Sequence, residues 1–396
     1  MASTQPSERL FGPAFIAVFA SSLVFFTAGG AVLPVAPRFA LGPIGADALG
    51  FGIAIGIWSF ASLAARPFVG WSADRHGRRP LLVIGAVMTV AALGLHLVAT
   101  TLPVFVAARG ILGVAEAAFL VAALAAGADL APPGRTGEAV SLLSLSLYAG
   151  LVVGPVLGEA MLAAAGYNGV WLVAAALAAG SAVLAWFVPE TQAAAPVPTG
   201  EAPRRRGRFI HPAGILPGVL ILCGLWGMAT YLTFVPLHAT RLGLGGAGSA
   251  LAVFGAVVLT VRLFGAKLPD RVGGVRLTGV ALSFTAVGLT IIGFVGGQPG
   301  LLFGSAVLGV GVALTMPAVL TMALARAPAD ERGSVVGTGS LFLDLAFGIA
   351  PVVLAPIAVT AGYPAIFLAS ALLAVVGLFV LAATRTRLVV VAAPAR

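Results

Sequence analysis

The chain has 396 residues; 60% are hydrophobic, only 9% are charged, and the formal net charge is +9 with a pI near 11.1. A mean hydropathy of +1.09 is far above that of soluble domains, so the chain is built for a bilayer rather than for water. The basic residues lie between apolar runs, not along one face or within a reading motif, which excludes nucleic acid as a partner. The single cysteine, Cys223, sits in an apolar run; it excludes an intramolecular disulfide and reads as a packed thiol.

In chain order, the opening MASTQPSERLFGP carries one arginine balanced by one glutamate. The apolar run from Phe11 to Pro34 is too long for a signal-peptide core and lacks a cleavage site, so it reads as a retained transmembrane helix. Apolar runs recur at 12–36, 47–69, 80–99, 103–128, 138–164, 167–189, 213–239, 247–267, 275–295, 299–325, 334–359 and 362–383. A spanning helix needs about 20 mostly apolar residues. These are therefore twelve transmembrane spans of an all-α integral membrane protein. Only PETQAAAPVPTGEAPRRRGR, residues 189–208, has the composition of a linker. The expected domains are an N-terminal six-helix bundle over 1–189, a cytoplasmic linker over 190–211 and a C-terminal six-helix bundle over 212–396.

Orientation follows from the basic residues. With the even-numbered connections and both termini on one side, that side holds 17 of the 22 Lys and Arg residues. The other side keeps Arg38 and Arg241, while Arg66, Arg109 and Arg262 fall within spans. Both termini are expected in the cytoplasm, in a multi-pass protein of the plasma (cytoplasmic) membrane, and the high pI is an orientation signal.

The two halves repeat each other. ARPFVGWSADRHG (65–77) aligns with VRLFGAKLPDRVG (261–273), pairing Arg66 with Arg262, Asp74 with Asp270 and Arg75 with Arg271. The same register pairs LGV at 112–114 with LGV at 308–310, Pro155 with Pro351, and AGY at 165–167 with AGY at 361–363. Six-helix repeats run parallel, and transporters built this way place substrate between the halves near the midplane.

Four motifs carry a resemblance. GWSADRHGRR after the second span resembles the G-x-x-x-D-R-x-G-R-R loop of the major facilitator superfamily, and RGILG (109–113) in the fourth span is similar to that superfamily's Arg-x-x-x-Gly motif. GLVVGPVLGE (150–159) in the fifth span resembles the antiporter motif G-x-x-x-G-P-x-x-G-G, with Glu159 in place of its last glycine; PET (189–191) is a common companion. The resemblance spans the whole chain and points to the twelve-helix, proton-coupled drug and metabolite efflux branch.

It implies a gate at the first loop. Gly70 is expected to allow close helix approach and Gly77 to supply a tight turn. Asp74 would cap or face the positive end of a neighbouring helix, which in the family is the eleventh helix. Arg75, Arg78 and Arg79 can reach acids at helix ends, Asp129 being the best placed, or can simply set topology. The second copy lacks the Arg pair, and Gly265 precedes Asp270 by five residues rather than four, so an asymmetric gate is expected. Gly150, Gly154 and Gly158 line one face of the fifth span for close packing, beside Pro155, which permits a kink. In the resembling exporters this face meets the eighth helix; plain helix packing is the alternative.

Ionisable residues inside a membrane are costly and functional by default. Glu116 falls near the middle of the fourth span. Burial favours the neutral form of a carboxyl, so Glu116 is a candidate proton carrier; attraction of a cationic substrate or a structural hydrogen bond are the alternatives. Arg109, two turns earlier on the same face, is expected to pair with Glu159 at similar depth. Asp344, in the eleventh span, is expected to meet Arg66 as a latch between halves, unless Arg66 snorkels. Phe25, Phe26, Trp226, Tyr231, Met316 and Phe342 are cavity-lining candidates for an amphipathic or hydrophobic ligand, and each can equally be helix packing.

There is no phosphate-binding loop and no nucleophile elbow, and the four histidines, at 76, 96, 211 and 238, are scattered. No enzyme activity, metal or cofactor is expected. The chain reads as a monomeric secondary transporter, driven by the proton gradient, that exports a small amphipathic or hydrophobic compound by alternating access. An uptake symporter or uniporter on the same fold, or a membrane receptor that moves nothing, are the other readings.

Overall fold

The structure, a computed structural model, describes residues 10–132, 135–191, 211–265, 268–324 and 332–389. Its elements are α1 (Pro13–Val32), α2 (Ala36–Leu41), α3 (Ala48–His76), α4 (Arg78–Leu97), α5 (Leu102–Asp129), α6 (Thr136–Trp186), α7 (Pro212–Arg241), α8 (Gly248–Phe264), α9 (Leu268–Val272), α10 (Gly274–Phe294), α11 (Gly297–Leu324) and α12 (Arg332–Val389). No strand occurs among the described residues.

Among the described residues, nine helical stretches are long and apolar enough to cross a membrane. Two of them, in α6 and α12, are each broken once, at Gly166 (φ 66°) and Gly362 (φ 82°). The 17-residue α8 supplies the remaining span, giving twelve. The breaks are dictated by residue type. A positive φ beside an extended ψ is open essentially to glycine alone, and Gly166 and Gly362 occupy the same place in the two AGY repeats. The turns into α4 and α10 match in the same way, at Gly77 (φ 95°) and Gly273 (φ 85°). The sequence repeat is thus also a repeat of backbone conformation.

The chain divides into two compact units, Met1–Ala46 with Ile57–Glu201, and Asp47–Gly56 with Ala202–Arg396. In the first, α1 packs along α6 and α4 along α5. Its core holds Phe15, Phe25, Phe26, Leu82 and Phe119. Ser21 and Ser181 exchange hydroxyl-to-carbonyl bonds of 2.9 Å across α1 and α6, which satisfies polar groups where no water is available. In the second unit, α7 packs along α12 and α10 along α11. Thr230 bonds Ser370 at 2.9 Å and Tyr231 bonds Ser305 at 2.7 Å. The start of α3 belongs to this unit, where Gly52 lies so close to α12 that a Cβ would stand 2.7 Å from the Val352 Cα.

Candidate functional site

The charged loop of the first unit folds into a tight corner. Gly77 turns the chain from α3 into α4 with its positive φ, and the Glu190 carboxylate fills the space where a Cβ would be. Glu190 Oε1 accepts the Arg78 N–H at 2.7 Å, capping the first turn of α4, and the Thr191 N–H at 3.1 Å. Arg78 donates from Nε to Asp129 Oδ2 at 3.2 Å and also reaches the Ala73 carbonyl. Thr191 Oγ1 donates to the same Asp129 oxygen at 3.4 Å. The ends of α3, α5 and α6 are therefore tied to the start of α4 through one arginine and two acids. Arg75 lies over the Trp71 ring at 5.5 Å and Arg79 over Trp186 at 4.6 Å, both within cation–π range. Nearby, exposed Arg135 forks onto Glu138 at 2.7 and 2.8 Å, and those bonds raise its guanidinium pKa above the ordinary value. The side chain of Asp74 lies outside the described residues. Nothing described stands within 4 Å of a Cβ at Gly70.

Deeper in the unit, the RGILG motif addresses one residue of α3 twice. Gly113 brings α5 against the Trp58 carbonyl, and Arg109 lies over the Trp58 ring at 5.9 Å. Further along α5, Glu116 lies within electrostatic reach of Ser62 and Arg66 of α3, one helical turn apart. Arg66 and Asp344 belong to different units; inside its own unit Arg66 addresses Glu116. Asp344 is buried on the first segment of α12.

Glu159 is nearly buried and pairs with Arg38 of α2 at 3.0 Å. Arg38 is thus a partner of Glu159 that the sequence reading did not name. The short helix α2 brings Arg38 to Glu159 from the connection after the first span. Within the first unit, the glycine face of α6 packs on α1. A Cβ at Gly150 would stand 2.6 Å from the Phe26 Cβ, one at Gly154 would stand 2.6 Å from the Gly30 Cα, and Gly158 abuts the Ala31 carbonyl. All three contacts are with α1, and Pro155 sits against Gly30 in the same seam.

Of the cavity candidates, Phe25 stacks on Phe119 with centroids 3.9 Å apart and Phe26 meets the same ring edge-on. Both are core packing in this arrangement. Trp226 and Tyr231 are buried on α7, while Met316 and Phe342 are half-buried; Phe342 fills the space beside Gly218. Among the described residues no cluster of three His, Cys, Asp or Glu could hold a metal ion.

The family model described as Major Facilitator Superfamily matches residues 14–351, with a second match over 247–393. The chain belongs to the Major Facilitator Superfamily. An uncharacterized MFS-type transporter of Salmonella typhimurium is 29% identical over 338 residues, 82% of this chain and 84% of that protein. One of Burkholderia mallei is 28% identical over 370 residues, 91% and 89% of the two chains. Among solved structures, a bacterial homologue of the human lysosomal transporter Spinster, in an inward-facing and unoccupied conformation, superposes with a TM-score of 0.77. It is 16% identical and covers 96% of this chain and 98% of that one. The human organic anion transporter TETRAN gives 0.69 at 21% identity, covering 95% and 100%.

This major facilitator is a multi-pass secondary transporter and not an enzyme. Several of its contacts were missed from the sequence, Arg38 on Glu159 among them. The Glu190 cap on Gly77–Arg78 had a signal, an acid directly after the sixth span. Trp58 and Ser62 had none, because aromatic and hydroxyl residues are unremarkable inside an apolar helix.

Proposed function

We propose that this major facilitator exports a small amphipathic or hydrophobic compound in exchange for protons by alternating access, with Glu116 as the proton carrier. The observation that carries the reading is the placement of Glu116 beside Ser62 and Arg66. A carboxyl at membrane depth with a hydroxyl and a cation within reach has two stable conditions. Ionised, it is held by the arginine; protonated, it releases the arginine and becomes an ordinary polar group. Proton loading is thereby coupled to a change of charge pairing inside the first unit. Arg109, fixed over Trp58, adds positive charge to the same helix, and the Arg38–Glu159 pair balances the charge placed in the antiporter-like helix.

In this reading Asp74, Arg75, Gly77, Arg78 and Asp129 form the cytoplasmic gate, and both termini face the cytoplasm of the plasma membrane, as the 17 basic residues on that side support. The test is transport by purified protein in proteoliposomes under an imposed pH gradient, with a panel of hydrophobic and cationic compounds. Glu116→Gln should abolish gradient-driven accumulation while leaving substrate exchange at equal pH. Full gradient-driven transport by that variant defeats the assignment. Asp74→Asn should slow turnover and spare substrate binding; weakened binding with normal turnover counts against the gate.

A further inference from the structure

The three arginines of the first loop do not share one role. Arg78 is held by Asp129 and the Ala73 carbonyl. Arg79, the next residue, makes no hydrogen bond or ion pair among the described residues; its contact is the face of Trp186, 4.6 Å from the guanidinium carbon. The two acids of the corner are engaged elsewhere: Asp129 accepts from Arg78 and Thr191, and Glu190 accepts the Arg78 and Thr191 N–H groups. Arg79 therefore carries a full charge and five donors on an indole that is itself 61% exposed.

The surroundings say what faces that charge. Trp186 ends α6 and is followed by Phe187, 72% exposed; one turn earlier Val183 is also exposed. On α4, which packs against α6, Ile84 and Val87 are exposed in turn. In a chain that crosses the bilayer, exposed apolar side chains on spanning helices are lipid-facing. An amphipathic indole at the end of such a face marks the level of the headgroups. Arg79 is thus a cation at headgroup level, pinned flat by an aromatic ring, with its donors unspent and an acyl-chain surface on the same two helices.

We infer that the α4–α6 rim around Arg79 and Trp186 is a binding site for the phosphate of an anionic phospholipid in the adjoining leaflet. The guanidinium offers a planar fork that matches phosphate oxygens, and stacking on Trp186 holds the fork ready. Val183, Ile84 and Val87 accompany the acyl chains. Occupancy bears on the corner behind it, because Arg79 directly follows Arg78, the residue that ties Asp129 to Glu190.

The test uses the full-length protein, delipidated in detergent and titrated with phosphatidylglycerol or phosphatidylcholine, with bound lipid counted by native mass spectrometry. Wild type should retain phosphatidylglycerol in preference to phosphatidylcholine. Arg79→Gln should weaken that retention roughly fivefold, the effect of one basic residue at an anionic membrane surface. Trp186→Leu keeps the apolar bulk, removes the stacking face and should weaken it in the same direction. Arg135→Gln, which removes an arginine already engaged by Glu138, should leave retention unchanged. Inorganic phosphate should not displace the lipid; displacement would make this a free-phosphate site and overturn the lipid assignment. Equal retention by wild type, Arg79→Gln and Trp186→Leu, or equal retention of the two lipids by wild type, also overturns it. Because transport is not read, the result is independent of the proton-carrier proposal.

Discussion

Arg38 and Glu159 sit 121 positions apart yet meet at 3.0 Å, with only 14% and 8% of their side chains exposed. Removing one member of such a pair takes this counter-ion from a charge that is nearly dry, at a cost of about 3–5 kcal/mol, whereas replacing both by apolar residues of similar size is often neutral. Arg38→Met should therefore lower the unfolding midpoint in detergent sharply, and Arg38→Met with Glu159→Met should recover most of the loss. A double variant as unstable as the single one would show that the pair does not isolate the charges from water. This pair also marks the limit of what the sequence discloses. Glu159 was legible as a departure from a glycine motif, and Asp129 as an acid within reach of the loop arginines. The partner of Glu159 was not legible, because Arg38 lies in a connection that composition reads as a loop. The chain instead turns at Leu33–Val35, where Pro34 stands, and resumes as α2, with Pro37 in its first turn. A proline is tolerated there because the first-turn N–H groups lack intrahelical partners anyway.

Helices show the same division between what periodicity specifies and what packing decides. The spacing of Gly150, Gly154 and Gly158 requires one face of α6 to be bare, and the structure uses that face for backbone contact with α1. The spacing does not name the neighbour, because any helix with a matching small surface would fit; Gly30 and Ala31 of α1 provide it. Gly154→Ala places its Cβ 2.6 Å from both the Gly30 Cα and the Thr27 carbonyl oxygen. These are backbone atoms that cannot rotate away, so α1 and α6 must separate, at a cost of about 1–3 kcal/mol from overpacking. Gly70→Ala is the contrasting case. It meets open space within helical α3, and alanine is the better helix former by about 1 kcal/mol. A thermal shift assay on the two variants should move in opposite directions. A destabilised Gly70→Ala would mean that the glycine is needed by a conformation in which α3 is approached more closely.

At the scale of the whole chain, the repeat accounts for twelve spans from one six-helix plan, and its glycines make that plan testable. Gly77 and Gly273 share a positive φ, but only Gly77 has Glu190 in its Cβ space; nothing described stands within 4 Å of a Cβ at Gly273. Alanine at 273 should cost only the strained backbone, about 1–3 kcal/mol. Alanine at 77 must also displace the carboxylate that caps α4, so its unfolding midpoint should fall further. Equal losses would show that the Glu190 contact contributes nothing to stability. Gly166 and Gly362 complete the argument. Both break a helix with positive φ, at 66° and 82°, one in each unit. Among the described residues, no non-neighbouring atom lies within 4 Å of a Cβ at Gly166, and the nearest at Gly362 is the Pro364 Cδ at 3.7 Å, an ordinary contact. Alanine at either site therefore tests conformation almost without packing, and the two losses should be nearly equal. Sites with no shared partner combine additively to within about 0.5 kcal/mol. The double variant should lose the sum of the two if the units unfold together, and an excess beyond that sum would reveal that one break supports the other.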